Sequence, residues 1–248
     1  MLMNRPYVFC YMAPSLNGKI KGSYRKKLEE ENSDATKLFY VEGFTPEGRY
    51  GDNQGVMCGR LTTDENLTKF KKPELDTNAE IVKAGDFIAK DINLDNKFYI
   101  SVDPKGKIAW QNSTIKFGNL TNNIIEIITN ETSNEYKDFL RRKNISYIIA
   151  GDKNIDFETA LMKLKKLFKI EKLMLGGGGI LNWSLIQQNL CDEISLLVMP
   201  TADGSPDTPS LFQSKDGMSG DKPVSFNLKT VEKKGNIAWL TYTINNNN

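Results

Sequence analysis

LMLGGGGILNWSLIQQNLCDE, running from Leu173 to Glu193, decides the reading of this chain. An apolar run stops at Leu175, four glycines follow from Gly176 to Gly179, and an amphipathic stretch starts at Ile180. That order is a strand, a turn and a helix. At such a junction the first N–H groups of the helix have no intrahelical acceptor, and the helix dipole favours an anion. Glycine also removes the Cβ that would hold a phosphate away from the backbone. The stretch therefore reads as a phosphate or pyrophosphate cradle. The plainer alternative is a tight turn that lets the helix pack closely. A P-loop is excluded, because no Lys-Ser or Lys-Thr follows. The dinucleotide pattern G-x-G-x-x-G fails at Leu181 counted from Gly176, and at Asn182 counted from Gly177.

Outward from this stretch, the pattern alternates strand and helix. Tyr7 to Ala13 is a buried strand stopped by Pro14, with a turn at Asn17-Gly18. Residues 22–55 carry Gly43, Gly48 and Gly51 and read as a loop-rich insertion with one short helix around Glu29 to Leu38. Gly55 to Gly59 is a short strand, and Thr62 and Thr63 offer capping hydroxyls for the helix after it. Strands are expected at Lys97–Val102, Ile124–Thr129, Ser146–Ala150, Leu173–Leu175 and Glu193–Met199, and helices at Ser133–Lys143, Asp156–Phe168 and Leu181–Asn189. Phe157, Leu161, Leu164 and Phe168 recur at three- and four-residue steps, a buried helical stripe. A hairpin turning near Lys234-Gly235 ends the pattern, and Asn245 to Asn248 form a polar tail. With no repeat and no Pro/Gly/Ser-rich linker, residues 1–248 read as a single domain of α/β class.

Composition narrows the chemistry. The 248 residues are 39% hydrophobic with a net charge of only +2, so neither a nucleic-acid nor a membrane partner is called for. No apolar stretch approaches the ~20 residues of a membrane span, and the N-terminus shows no signal-peptide pattern. Cys10, Cys58 and Cys191 are odd in number and far apart, which reads as buried thiols in a reducing cytoplasm and gives no metal site. The chain contains no histidine, which rules out Ser-His-Asp and Cys-His catalysis and H-E-x-x-H zinc sites.

Three segments in order carry a family likeness: RPYVFCYMAPSLNGKI, GVMCGRLTT, and GGGGILNWSLIQQNLCDEISLLVMP with Leu190-Cys191-Asp192-Glu193 and Met199-Pro200. Together they resemble the riboflavin-pathway pyrimidine reductases, within the wider dihydrofolate-reductase-like group. The chain departs from that pattern at Asn17, where the family has Asp, and at Gly176, where it has Glu. The resemblance implies a dihydrofolate-reductase-like fold: a mainly parallel central sheet flanked by helices, with an antiparallel C-terminal hairpin. It implies NADPH as hydride donor, a heterocyclic pyrimidine-type substrate and a homodimer. By the same resemblance Gly176, Gly177, Gly178, Gly179, Ile180 and Leu181 border the pyrophosphate. Gly59, Arg60 and Thr62 hold a second stretch of cofactor, and Ser101, Thr129 and Gly151 line the adenosine side. Asn17, Gly18 and Lys19 sit by the nicotinamide and substrate.

The residues are also read on their own chemistry. Arg60 suits bidentate binding of the 2′-phosphate of NADPH. Lys19 is equally a phosphate contact or a surface lysine, and Asn17 a turn residue. Trp183 reads as core, Asp192 and Glu193 as flanking a strand, and Glu42, Glu47 and Asp52 as the loop carboxylates best placed for substrate. The reading is an NADPH-dependent reductase resembling 5-amino-6-(5-phosphoribosylamino)uracil reductase. Reduction of another pterin-like or small carbonyl compound, or nucleotide binding without catalysis, stays open at this point. No catalytic acid is assigned.

Overall fold

The computed structural model describes residues 4–31, 34–117, 120–202, 204–214 and 222–244; the tail expected at 245–248 lies outside them. Two compact units emerge, one from Met1–Pro6 and Gln54–Leu173, the other from Tyr7–Asn53 and Met174–Asn248.

The first unit is built on strands β2 (Gly55–Gly59), β3 (Lys97–Val102) and β5 (Leu120–Ile128), side by side and parallel. The far edge of β5 is shared. Its first half takes β4 (Thr114–Phe117) antiparallel, and its second half takes β6 (Ser146–Ile149) parallel. The parallel strands read as unbroken apolar runs because both faces are covered, and Phe98, Ile100, Ile125, Ile127 and Ile148 are buried. Helix α4 (Asn134–Arg142) starts at Ser133, whose side chain accepts from Tyr136 N, and buries Tyr136, Phe139 and Leu140. Helix α5 (Phe157–Phe168) starts at Asp156, which accepts from Thr159 N. It buries the stripe expected of it, with Phe168 set edge-on to Phe98 at 5.7 Å. Gln54 then secures the chain after α5: its Oε1 accepts from the N–H groups of Glu171 and Lys172 at 2.7 and 2.9 Å.

The second unit carries β1 (Tyr7–Met12) parallel to β8 (Glu193–Val198). Next come β10 (Ile237–Ile244), antiparallel to β8, and β9 (Phe226–Lys234) outermost. The β9–β10 hairpin turns at Gly235 with φ of 59°. Trp239 is fully buried, its Nε1 donating to Ser195 Oγ at 2.7 Å, and the Arg49 guanidinium lies 3.6 Å from its ring centre. β7 (Lys172–Leu175) runs across the boundary of the two units into the glycine turn, and α6 (Gly179–Gln187) follows it.

Several expectations are corrected. Residues 22–55 are not mainly loop: helices α1 (Ser23–Glu30) and α2 (Asp34–Phe44) occupy them. α1 buries Tyr24 and Leu28, one turn apart, and carries Lys26–Glu30 and Lys27–Glu31 pairs outside. The short helix α3 (Arg60–Thr63) begins at Arg60 with Gly59 as N-cap, so Thr62 and Thr63 are not caps. Trp183 is only half-buried, against Phe212, while Asn182 takes the fully buried place beside it. β10, with Trp239, Leu240 and Tyr242, is paired on both sides, and β9 forms the edge. β4 adds an antiparallel strand that the sequence did not announce.

Candidate functional site

Two places gather the residues singled out above, one in each unit. In the second unit the glycine turn leaves β7 at Leu175. Gly178 is the N-cap of α6, no side chain caps the helix, and its first turn holds no acidic residue. The opening N–H groups of a nine-residue helix are thus left to backbone geometry alone, the condition for an anion site. Gly177 has φ of 98°, and a Cβ there would meet the Met12 side-chain tip at 3.2 Å and Asn182 Nδ2 at 3.8 Å. Gly179 differs. A Cβ there would lie 2.2 Å from the Ser210 carbonyl oxygen, so this glycine serves close packing. Ile180 is exposed and Leu181 buried.

Ser210 belongs to a segment, Thr208–Gln213, that carries no motif or periodicity of its own. Gln213 N donates to Gly179 O at 3.2 Å, and Asn182 Nδ2 donates to Leu211 O at 3.3 Å. The same segment holds the turn after β1. Leu211 N donates to Gly18 O at 2.9 Å, Ile20 N to Pro209 O at 3.1 Å, and Lys19 Nζ to Thr208 O at 3.0 Å. That turn is itself closed by Ser15, whose Oγ accepts from Lys19 N and donates to Asn17 Oδ1. The strap thus joins the Asn17–Gly18–Lys19 turn to Gly179 and Asn182, offering its own backbone groups in each of these bonds. Asn182 Oδ1 is buried and has no hydrogen-bond partner among the described residues. The loop carboxylates have other tasks or stand outside: Glu42 Oε2 accepts from Arg49 N, while Glu47 and Asp52 are exposed.

In the first unit, Gly59 ends β2 and Arg60 opens α3. Arg60 NH1 pairs with Asp64 Oδ2 at 2.7 Å. Thr62 is half-buried beside them. Ser101 and Thr129 point their hydroxyls inward. Ser101 Oγ and Tyr99 OH each lie 3.0 Å from Thr63 Oγ1, and Thr129 Oγ1 donates to Pro104 O at 2.7 Å. Thr129 N also donates to Thr132 Oγ1, its carbonyl accepts from Thr132 N, and Ser101 lies in β3 with β2 and β5 on either side. Gly151 O accepts from Asn130 N beside them.

The same unit hides a pair of carboxyls. Asp103 and Glu126 are both fully buried. Asp103 Oδ2 accepts from the N–H groups of Lys107 and Ile108 and fixes the loop after β3. Glu126 meets Trp110 Nε1 at 2.5 Å and the Tyr136 hydroxyl at 2.8 Å. That hydroxyl also lies 2.9 Å from Ile108 O. It has one proton, so if it donates to Ile108, Glu126 must donate to it. Burial, then the charge of Asp103, pushes the Glu126 carboxyl well above the usual range in the same sense. The three cysteines form no disulfide and are buried, and burial raises Cys10 strongly and Cys58 to about 11. Among the described residues no helix is long and apolar enough to cross a membrane, and no cluster suits a metal.

Comparison with known proteins adds a family. The family described as RibD C-terminal domain matches residues 102–238, more than half of the chain. A 2,5-diamino-6-ribosylamino-4(3H)-pyrimidinone 5′-phosphate reductase of Archaeoglobus fulgidus is 26% identical over 213 residues, covering 84% of this chain and 86% of that protein. Among solved structures, a pyrimidine reductase-like protein of Corynebacterium diphtheriae matches with a TM-score of 0.64 at 13% identity, over 98% of this chain and 94% of that one. RibD of Acinetobacter baumannii matches at 0.58 and 16% identity; this chain is covered to 98% and spans 59% of that longer chain. The likeness shows the expected α/β fold, a mixed sheet flanked by helices with an antiparallel C-terminal hairpin.

Proposed function

The chain belongs to the RibD C-terminal domain family, and from that premise we propose that this oxidoreductase transfers hydride from NADPH to a C=N or C=O carbon of a ribosylaminopyrimidine phosphate. The substrate class follows the Archaeoglobus relative's name. The observation that carries the cofactor half is the uncapped N-terminus of α6 behind a glycine turn. The pyrophosphate would rest on the backbone of Gly176, Gly177, Gly178, Gly179 and Ile180, with Leu181 packed beneath. Gly59, Arg60 and Thr62 would hold the 2′-phosphate end, and Ser101, Thr129 and Gly151 would line the adenosine side. Asn17, Gly18 and Lys19 would border the substrate.

NADPH supplies the hydride when bound; the protein's own task is orientation and exclusion of water. Lys19 is the cation nearest in function to a substrate phosphate, held in place through Thr208 O. The chain holds no histidine, no side chain is assigned as the acid, and on this proposal the proton that follows the hydride would come from solvent. We place the enzyme in the cytoplasm as a homodimer working as one reductase domain over residues 1–248. The exposed Leu228 and Val231 on the edge strand β9 are the apolar groups a second copy would cover.

The test is turnover and binding. NADPH oxidation with the ribosylaminopyrimidine phosphate is expected, and no turnover with it while a small carbonyl compound reacts would overturn the substrate. Arg60→Ala is expected to weaken NADPH by roughly 10- to 150-fold, the equivalent of a charge-assisted hydrogen bond of about 1.5–3 kcal/mol. NADH should be nearly unaffected; equal losses for both cofactors would remove Arg60 from the 2′-phosphate.

A further inference from the structure

We infer that Asp64 is a positioning residue that fixes the Arg60 guanidinium for the 2′-phosphate of NADPH. The inference rests on the reading of Arg60 just given. An arginine with a carboxylate four residues on is ordinarily a surface pair of little consequence. This one is different in two respects. First, the Asp64 side chain is only 3% exposed, and both its oxygens are engaged: Oδ2 by Arg60 at 2.7 Å, Oδ1 by the Thr68 hydroxyl at 2.5 Å. Second, α3 does not continue as an α-helix. Asp64–Thr68 form a π-helical turn, closed by Lys69 N donating to Asp64 O at 2.5 Å, and Lys69 leaves it in the left-handed region. Such turns are rare and are found frequently at functional sites. Here the turn presents Thr68 to the carboxylate oxygen that Arg60 does not use.

The consequence concerns entropy and charge together. Arg60 is 31% exposed, reachable from solvent, and its one described partner is Asp64. A guanidinium has five N–H donors in a rigid fork, and Asp64 occupies one terminal nitrogen. Donors remain for a second anion. A free arginine would lose its rotamer freedom on binding, whereas one already tethered does not, which is preorganisation. The opposing effect is repulsion between Asp64 and the phosphate. It is reduced because the carboxylate is buried and spans Arg60 and Thr68, while the phosphate must approach from the exposed side.

The experiment measures NADPH and NADH dissociation constants for the parent, Asp64→Asn, Asp64→Glu and Thr68→Val. Asp64→Asn is expected to weaken NADPH by roughly 3- to 10-fold, the size of one newly mobile side chain, and to leave NADH within about twofold. Asp64→Glu should recover part of the preference, which a merely structural role would not produce. An unchanged or tighter NADPH constant in Asp64→Asn, with Arg60→Ala still discriminating the cofactors, overturns the positioning role alone. If Arg60→Ala fails to discriminate, the assignment of Arg60 itself falls. Should Asp64→Asn not fold, Thr68→Val decides: it keeps both charges and removes the grip, and an unchanged NADPH-to-NADH ratio overturns the inference.

Discussion

Gly179→Ala sets two effects against each other. Alanine is better than glycine inside a helix by about 1 kcal/mol, and Gly179 is the first residue of α6 without a positive φ, so propensity alone predicts stabilisation. Packing predicts the opposite. The new methyl would stand 2.2 Å from the Ser210 carbonyl oxygen, which is backbone and cannot swing aside as a side-chain tip would. The strap has to retreat by roughly 1 Å to reach an ordinary contact. It is held on both sides, by Gln213 N to Gly179 O, Asn182 Nδ2 to Leu211 O, and Leu211 N to Gly18 O. Overpacking of this kind costs about 1–3 kcal/mol, and each hydrogen bond stretched adds about 1 kcal/mol. The clash wins, with a net loss of about 1–3 kcal/mol when one hydrogen bond is stretched and the helical gain is subtracted. For a chain of this length that is roughly 2–12 °C in Tm. Because the strap also carries the Lys19 turn, the KM for substrate should rise along with the loss of stability. Thermal denaturation with and without saturating NADPH, and steady-state kinetics, read both. A Tm at or above the parent value would show that the strap yields freely and that Gly179 is not a packing glycine.

Other predictions are shorter. Glu126→Gln should flatten the pH dependence of stability: the folded pKa is raised, so the folded state keeps a proton that the unfolded state releases above about pH 4.5, and stability is lost as pH climbs from there toward the folded pKa. Glutamine can accept from Trp110 and donate to Tyr136 without that proton; denaturant titrations from pH 5 to 8 that keep the parent slope in the variant would mean Glu126 is ionised. Lys19→Met should lower kcat/KM for the phosphate-bearing substrate by about 10-fold or more while NADPH binding stays within about twofold, as for loss of a charged hydrogen bond; equal loss in both would assign Lys19 to the strap. Light scattering should give about twice the 28.0 kDa chain mass, and Val231→Glu on β9 should lower it; a parent at the monomer mass would reject the homodimer.

What could be read from sequence was whatever a single element states by itself. The Ser133 and Asp156 caps, the α5 stripe from Phe157 to Phe168, and the apolar strands at Tyr7–Met12 and Lys97–Val102 all carry their own period or cap. Where the signal was missing, the cause was physical. α6 has apolar residues on all sides, so ILNWSLIQ does not say that Asn182 faces inward and Trp183 outward. In 22–55 three glycines masked helices whose buried stripe is only Tyr24 and Leu28 in α1, and Ala35 and Gly43 in α2. The strap Thr208–Gln213 is held almost wholly by backbone groups, and Asp103 meets Glu126 only through the β3–β5 pairing.

The same distinction explains why the titration behaviour of this protein does not mark its candidate site. Strongly displaced groups are a common guide to catalytic residues. Here Cys10, Tyr11, Tyr99, Glu126 and Tyr136 are all displaced upward, and burial is the first cause for each. Each sits in a packed interior, holding strands and loops together, where the neutral form is the useful one. A hydride-transfer enzyme that takes its proton from solvent has no need of a tuned acid; it needs donors aimed at phosphates and a ring held still. On the function proposed above, those would be the backbone of the glycine turn, the Arg60–Asp64–Thr68 chain and Lys19 on its strap. On this reasoning the sites that matter are found by asking which backbone and cationic donors are left for an anion, and then what holds each of them in place.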